Sequence, residues 1–490
     1  MPDTLSRSTD RRAMPAPPRT NIIVTVLAFA GIVVALMQTL VIPLIPELPN
    51  LLDTTASNAT WVITATLLAA AVATPVVGRL GDMYGKRRML LISLLLLVAG
   101  STIAALSSTL APMVVGRIVQ GLSAGVIPLG ISIMRDELPT DRLGAATATM
   151  SASLGVGGAL GLPTAAFIAD HADWHVLFWT GAMLGVLAAV LVVRLVPESA
   201  VRSGGRFDTA GAAGLSAALV CLLLGISKGG TWGWTSGRTL GLLAAAIVVL
   251  LVWGWWELRT AEPLVDLRTS ARAQVLFTNL ASVAFGLSLF SMSLVLPQLL
   301  QLPAATGYGL GQSLLAVGLV MAPNGLVMMT VAPLSARISK AKGPKTTLML
   351  GALVVAVGYG LNLVLMSQIW HLVLVSSIVG AGIGLAYGAM PTLVMGAVPV
   401  SETAAALSLN TLMRGIGVSV SSAVAGVVLA QMTTTIGSVA VPAENGFRVV
   451  MAIGAGTALL AFVCASFIPR QRPPVPAAPV PAAVLVAAEA

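Results

Sequence analysis

Long apolar runs alternate with short polar loops along almost the whole chain. A helix that crosses a membrane needs about 20 consecutive, mostly apolar residues, and fourteen stretches reach roughly that length. They lie near 22–45, 60–79, 89–107, 112–134, 144–169, 175–196, 209–227, 239–256, 274–300, 310–333, 346–366, 371–395, 404–430 and 447–468. The stretch at 144–169 is the weakest, because glycines interrupt it. The pattern predicts an all-α polytopic membrane protein.

Composition agrees with a lipid environment. The chain has 490 residues, of which 57% are hydrophobic and 9% are charged, more apolar surface than a soluble core can bury. A net charge of +9 could suggest a nucleic-acid partner, but the bases lie in short loops. Alternate loops, counted from the N-terminus, hold 22 of the 27 Lys and Arg residues, and the loops between them hold three. This asymmetry predicts a multi-pass protein of the plasma (inner) membrane with both termini in the cytoplasm and no nucleic-acid partner.

One loop stands out by its charge. The segment 78–88, with the sequence GRLGDMYGKRR, joins two apolar runs and combines one acid with four bases. Its glycines permit a tight turn and close helix approach. We expect a conformational switch that can latch one state of the protein. Its residues are Gly78, Asp82, Gly85, Lys86, Arg87 and Arg88, with Asp136 from the end of the fourth span. The alternative is that the bases only set the topology.

The chain repeats itself at a spacing near 258 residues. Gly121 and Gly125 of the fourth span recur as Gly380 and Gly384, and weaker matches share the offset. Such a repeat predicts two six-helix bundles with a cavity between them, plus two extra central helices. The predicted limits are a disordered cytoplasmic tail at 1–21, an N-terminal bundle at 22–196, an inserted helix pair with loops at 197–273, a C-terminal bundle at 274–468 and a second disordered tail at 469–490.

With these motifs the chain resembles the major facilitator superfamily, and within it the fourteen-span drug:proton antiporter (multidrug efflux) family. The segment 78–88 is similar to the superfamily's signature loop, and 117–121 (RIVQG) to its fourth-span motif. The segment 159–163 (ALGLP) resembles the fifth-span motif of exporters, although a leucine separates its glycine from its proline. The resemblance implies rocker-switch alternating access, export of amphiphilic drugs or metabolites coupled to protons, and a part in antibiotic resistance.

Two arginines lie inside predicted spans. A charge at mid-bilayer costs about 2.5–3.5 kcal/mol on insertion scales, so Arg117 and Arg414 must face protein or water. Gln120 shares the helical face of Arg117, and Asn410 that of Arg414. We expect these four residues, with Gln38 of the first span, to line the central cavity and contact substrate. The alternative is that each arginine bonds backbone carbonyls and only holds the fold.

Glycine and proline mark the fifth predicted span. Gly158 and Gly161 allow close helix approach, and Pro163 removes a backbone donor and can bend the helix. A gating hinge and plain packing are both consistent with this pattern.

Acidic residues are missing where a proton antiporter of this family needs one. In the family the first span often reads L-D-x-T, whereas Met37 stands at the acid's position here. The possible proton sites are Glu47 and Asp82. Otherwise the carrier couples differently or is a facilitator. A cavity with two arginines and no acid should favour neutral or anionic amphiphiles over lipophilic cations.

Other functional classes have less support. The chain has no His/Asp metal cluster, no H-E-x-x-H motif and no phosphate-binding loop, so we expect no enzyme, no metal and no cofactor. A non-transporting membrane sensor typically needs a sizeable soluble segment, and the loops are short. We therefore expect a monomeric secondary transporter that exports amphiphilic small molecules. A facilitator or antiporter without proton coupling, for a neutral or anionic metabolite, is the alternative.

Overall fold

Fourteen helices long and apolar enough to cross a membrane run through the computed structural model, which describes residues 18–41, 44, 47–436 and 439–469. The prediction of a fourteen-helix, all-α membrane protein is confirmed. We number the helices in chain order: α1 Pro18–Thr39, α2 Trp61–Tyr84, α3 Lys86–Ala105, α4 Leu110–Gly121 and Val126–Glu137 joined by the 3-10 turn Leu122–Gly125, α5 Thr140–His171, α6 His175–Leu195, α7 Thr209–Trp232, α8 Gly237–Arg259, α9 Ala273–Gln301, α10 Leu314–Lys342, α11 Pro344–Asn362, α12 Ile369–Met395, α13 Thr403–Gln431 and α14 Glu444–Ser466.

The connections contain a few short elements. Single helical turns lie at Leu48–Leu51, Ala56–Ala59 and Leu267–Ser270, and 3-10 turns at Ala304–Thr306 and Val400–Glu402. Between α13 and α14, the strands β1 (Thr433–Ile436) and β2 (Val439–Pro442) pair antiparallel. No sequence pattern had predicted this hairpin.

Some predicted boundaries need correction. The first span was expected at 22–45, but α1 begins at Pro18 and ends at Thr39, so residues 18–21 are helical and not part of a tail. Residues 1–17 and 470–490 of the two predicted tails lie outside the described residues. Lys228 was one of the three bases assigned to the loops between the basic ones, but it lies within α7 and is 2% exposed. The glycine-rich fifth span forms one helix of 32 residues.

Buried side chains form two large clusters. One runs from Ile23 to Val196 on α1–α6 and also takes in four residues of α12 and α13. The other runs from Ala281 to Ile468 on α9–α14. We call α1–α6 the first half and α9–α14 the second half. The predicted domain limits fall in the α6–α7 connection and at the start of α9.

The inserted pair α7–α8 packs against both halves. A smaller cluster joins Leu215 and Leu219 of α7 to Leu409 and Leu412 of α13, with Val76 of α2 at its edge. The pair therefore lies across the junction between α2 and α13.

The repeated glycines make equivalent contacts in the two halves. A methyl group on Gly121 of α4 would lie 2.5 Å from the Thr66 carbonyl oxygen on α2. One on Gly380 of α12 would lie 3.1 Å from the Asn324 Cα on α10. In both halves, glycine thus lets the fourth helix approach the second.

The halves meet along α2–α13 and α5–α10. On α5 and α10, a methyl group on Gly155 would lie 2.6 Å from Met328 Sδ, and one on Gly318 would lie 2.9 Å from the Pro163 Cα. We call the side of the helix array that carries the segment 78–88 the signature face, and the other side the opposite face.

Candidate gate and transport site

Asp82 links the two halves at the signature face. Its side chain is fully buried near the end of α2, and its carboxylate accepts hydrogen bonds from the backbone N–H groups of Ala404 at 3.1 Å and Ala405 at 2.8 Å. These N–H groups lie in the first turn of α13, where they have no acceptor within their own helix. A carboxylate at a helix N-terminus also interacts favourably with the helix dipole. The α13 N-cap residue, Glu402, makes no side-chain cap of its own, so the cap comes from the other half.

Lys86 completes a buried charge cluster behind this cap. Its Nζ lies 2.6 Å from Asp136 Oδ2 and 3.8 Å from Asp82 Oδ1, and its side chain is 0% exposed. Ser199 donates a hydrogen bond to the same Asp136 oxygen at 2.5 Å. The structure thus brings together Asp82, Lys86 and Asp136, which lie on three different helices.

Arg87, another base of the segment, contacts its own half. The Arg87 guanidinium donates to the Val193 carbonyl oxygen at 2.6 Å, and its backbone N–H donates to Glu198 at 3.2 Å. Arg88 is exposed. Arg87 therefore fastens the loop to the end of α6.

Two glycines of the segment are required by geometry. Gly85 has a φ of 118°, a backbone conformation that favours glycine. Gly78 faces α13, where a methyl group would lie 2.6 Å from the Ser408 Cβ and 2.8 Å from the Ala404 carbonyl oxygen. Gly78 thus allows α2 to approach α13 closely enough for Asp82 to reach its cap.

Arg135 is a second link between the halves, and the sequence analysis missed it. From the end of α4 its guanidinium donates to Thr403 Oγ1 at 2.7 Å and to the Val398 carbonyl oxygen at 3.1 Å. Both acceptors belong to the second half, at the connection from α12 to α13. The sequence offered no signal for this contact, since one more base at the signature face is what membrane topology alone would produce.

Arg117 is bonded within the first half, towards the opposite face. It is 3% exposed. Its guanidinium donates to the carbonyl oxygens of Val62 at 3.2 Å and Met37 at 3.4 Å and to Gln120 Oε1 at 2.7 Å. With Gln38 and Gln120 it lines a cavity of about 60 Å³ between α1, α2, α3 and α4. Arg117 therefore both connects backbone carbonyls and borders a small cavity.

Asn410 and Arg414 lie on α13 and make different contacts. Asn410 is buried, and its amide donates to Asn279 Oδ1 at 2.8 Å and Ser282 Oγ at 2.7 Å on α9. Arg414 is partly buried, and its guanidinium carbon lies 4.8 Å from the centre of the Tyr387 ring on α12. Asn410 thus joins α13 to α9, whereas Arg414 rests on an aromatic face.

Comparison with known proteins identifies the family. The model of the Major Facilitator Superfamily matches residues 27–422 and 282–487. The chain belongs to the Major Facilitator Superfamily. The family predicted from the signature loop is confirmed, and the chain is a multi-pass membrane protein.

Its relatives include drug-resistance transporters. The chain is 24% identical to Multidrug resistance protein 3 of Bacillus subtilis over 388 residues, 76% of this chain and 73% of the relative. It is 29% identical to the Tetracenomycin C resistance and export protein of Streptomyces glaucescens over 336 residues, 67% of this chain and 61% of the relative. An uncharacterized MFS-type transporter of Mycobacterium tuberculosis is 27% identical over 446 residues, 87% of this chain. The chain spans 63% of that relative's length.

The number of candidate spans, fourteen, and the names of these relatives agree with the fourteen-span multidrug efflux branch.

A solved structure supports the fold. The crystal structure of the human organic anion transporter MFSD10 (TETRAN) matches with a TM-score of 0.66 and 16% sequence identity, covering 92% of this chain and 100% of that chain. At this identity the likeness extends to the superfamily fold alone.

Within the superfamily fold, the fifth-helix residues have separate surroundings. A side chain on Gly161 would collide with Thr39 of α1, and Pro163 packs against Gly318 of α10. Gly158 faces open space, with no atom of the described residues within 4 Å of an added methyl group. Gly161 and Pro163 therefore serve close packing in this conformation.

Glu47 lies far from the charge cluster. It is exposed in the connection between α1 and α2, at the opposite face. At the position where the family often has an acid, the Met37 backbone oxygen accepts the Arg117 bond and its side chain packs against Gly181. No group of three metal-ligating side chains occurs among the described residues.

Proposed function

We propose that this transporter exports amphiphilic small molecules from the cell by alternating access, and that the signature face lies in the cytoplasm. The proposal is carried by one observation: the Asp82 carboxylate of the first half caps α13 of the second half. A bond that joins the halves at one face must break before that face can open. Asp82, Lys86, Asp136 and Arg135 together would then be the cytoplasmic gate, here in its closed state.

The distribution of charge supports this orientation. The signature face carries Lys86, Arg87, Arg88 and Arg135, and basic loops are retained in the cytoplasm. The relatives named for multidrug resistance and for tetracenomycin C export support outward movement of drug-like compounds.

Proton coupling is the finer part of the proposal. Protonation would remove the Asp82 charge, which would weaken the cap on α13 and leave Lys86 paired with Asp136 alone. Protonation of Asp82 would therefore favour opening of the gate. Glu47 is the other candidate, because it is exposed at the opposite face, where protons would enter from outside.

Asp82→Asn tests the gate. In a chain without its two cysteines (Cys221→Ser, Cys464→Ser), spin labels replace Arg88 in the first half and Lys342 in the second. Both positions are exposed at the signature face.

We expect Asp82→Asn to add a population with a longer distance between the labels, because the charged cap is lost. Asp141→Asn, which removes an exposed acid at the same face, should leave the distribution unchanged. Identical distributions for all three proteins would refute the gate.

Transport is tested by accumulation of a neutral fluorescent amphiphile, Nile red, in cells that lack other efflux pumps. We expect lower accumulation in cells that express the protein, and restoration of accumulation by a protonophore. Efflux that persists with the protonophore would instead support a facilitator or an antiporter driven by another solute. Absence of counterflow in proteoliposomes would support a non-transporting sensor.

A further inference from the structure

Arg414 carries a charge without a counter-ion. Its guanidinium stacks on Tyr387, and it makes no hydrogen bond or ion pair with another residue in the described part of the chain. Arginine has five N–H donors and stays protonated in proteins. An arginine inside a membrane span is costly without a partner, and the N–H groups of this partly buried side chain remain available to an acceptor.

Tyr387 adds a second unused donor. It is 2% exposed, and its buried hydroxyl has no hydrogen-bond partner among the described residues. Its ring is held edge-on by Phe285, with 6.4 Å between the ring centres. Buried tyrosine hydroxyls usually find a partner, so the unpartnered hydroxyl is an exception that calls for an acceptor.

Both residues lie deep in the helix array. At a rise of about 1.5 Å per residue, Arg414 is roughly 17 Å along α13 from its start, and Tyr387 is roughly 12 Å along α12 from its end. The start of α13 and the end of α12 are both at the signature face. The two donors therefore sit at a similar depth, near the middle of a bilayer whose hydrocarbon core is about 30 Å thick.

Arg117 is different, although the sequence makes the two arginines look alike. Its guanidinium donates to two carbonyl oxygens and to Gln120. Its charge is thus distributed over protein acceptors, whereas that of Arg414 is not. A substrate that needs a cationic partner would find it at Arg414.

We propose that Arg414 and Tyr387 bind the carboxylate of an anionic amphiphile, and that this pair sets the substrate class of the transporter. The inference rests on the proposed transport function. A guanidinium can bind a carboxylate through two parallel N–H···O bonds. The Tyr387 ring packs against the face of the guanidinium, so the N–H groups at the edge of the guanidinium stay available to the ligand. The Tyr387 hydroxyl donates a further bond to the bound group.

Binding is measured on the full-length protein in lipid nanodiscs with two probes of similar shape. These are the anion 1-naphthaleneacetate and its neutral counterpart 1-naphthaleneethanol. We expect the wild type to bind the anion at least tenfold more tightly. Hydrogen bonds to charged groups are stronger than those between neutral groups, so Arg414→Gln should weaken anion binding tenfold or more and leave the neutral probe within twofold. Tyr387→Phe, which removes one oxygen atom, should weaken anion binding severalfold.

Arg448→Gln is the matched control, because it removes an exposed arginine paired with Glu444 near the opposite face. It should leave both affinities unchanged. The inference is overturned if the wild type does not prefer the anion, or if Arg414→Gln and Tyr387→Phe weaken both probes equally. Should Arg414→Gln not yield folded protein, Tyr387→Phe alone decides.

Counterflow of the same probes separates the two proposals. Selective anion binding without any counterflow would overturn the transport function and leave the binding pair standing. Counterflow of both probes at equal rates, with no anion preference in binding, would overturn the pair and leave transport standing.

Discussion

Gly78 and Ser408 set the distance between the two halves of this protein at the signature face. Gly78 lies on α2 and Ser408 on α13, and a methyl group on Gly78 would lie 2.6 Å from the Ser408 Cβ. Real Cβ atoms do not come this close, so even alanine would push the helices apart. The reach of Asp82 to the first turn of α13 depends on this glycine.

Gly78→Ala should therefore open the gate. Overpacking a tight contact costs about 1–3 kcal/mol, and here that cost falls on the closed state alone. We expect a cysteine introduced at Ala405 to react at least fivefold faster with a membrane-impermeant maleimide applied from the signature face. Gly144→Ala is the control, because an added methyl group there meets no atom of the described part of the chain within 4 Å. Equal labelling rates in both variants would contradict the role of Gly78.

Lys86→Met should destabilise the protein more than Asp136→Asn. Removing the lysine leaves two buried acids without their cation, and breaking a buried ion pair in this way costs about 3–5 kcal/mol. The asparagine side chain of the second variant would still accept the Ser199 hydrogen bond, so that change should cost less. Thermal unfolding in nanodiscs measures both.

The double variant Lys86→Met/Asp136→Asn tests whether the pair acts as a unit. Its loss of stability should be smaller than the sum of the two single losses, because the two residues are in direct contact. Additive losses would show that Lys86 and Asp136 do not interact, against the 2.6 Å distance between Lys86 Nζ and Asp136 Oδ2.

Arg117→Lys should lower the stability of the protein, because lysine cannot replace the arginine at this position. Three acceptors lie around the guanidinium plane, and a lysine ammonium on a flexible stem cannot reproduce that fork. We expect the loss of at least one charged hydrogen bond, about 1.5–3 kcal/mol, seen as a lower unfolding temperature. Arg88→Lys, at an exposed position, should leave the unfolding temperature unchanged. An Arg117→Lys protein as stable as the wild type would mean that the three bonds contribute little.

Arg135→Gln should weaken the closed gate in the same direction as Asp82→Asn. Its guanidinium bonds Thr403 and the Val398 carbonyl across the junction, and glutamine is too short to reach both. We expect the longer-distance population between labels at positions 88 and 342 to grow, and to grow further when both substitutions are combined. If Arg135→Gln leaves that population unchanged, its contacts do not hold the gate.

The sequence alone determined the membrane class, the fourteen spans and the family, and it singled out Asp82, Lys86 and Asp136 among the charged residues of the switch that it predicted. These depend on local quantities: the length of an apolar run, the side of the membrane that holds the bases, and a glycine-rich charged loop. Boundaries such as those of α1, and the placement of Lys228 inside α7, were less well predicted because hydropathy changes gradually at a helix end. The β1–β2 hairpin left no such signal.

Only the tertiary structure decided which half of the protein each charged side chain contacts. Asp82 and Ala405 are far apart in the chain, and nothing local to either residue indicates that one caps the other. From the sequence, Arg135 is one more base that sets the membrane topology. The structure shows that its hydrogen-bond acceptors lie on the second half. In the sequence, Arg117 and Arg414 are both arginines inside spans. In the structure, Arg117 donates hydrogen bonds to carbonyl oxygens, whereas Arg414 stacks on an aromatic ring. The physical reason is that hydropathy and charge are properties of single residues and can be read from the sequence. Whether a polar side chain finds a hydrogen-bond partner depends instead on residues of distant helices, and only the packing of those helices brings the partners together.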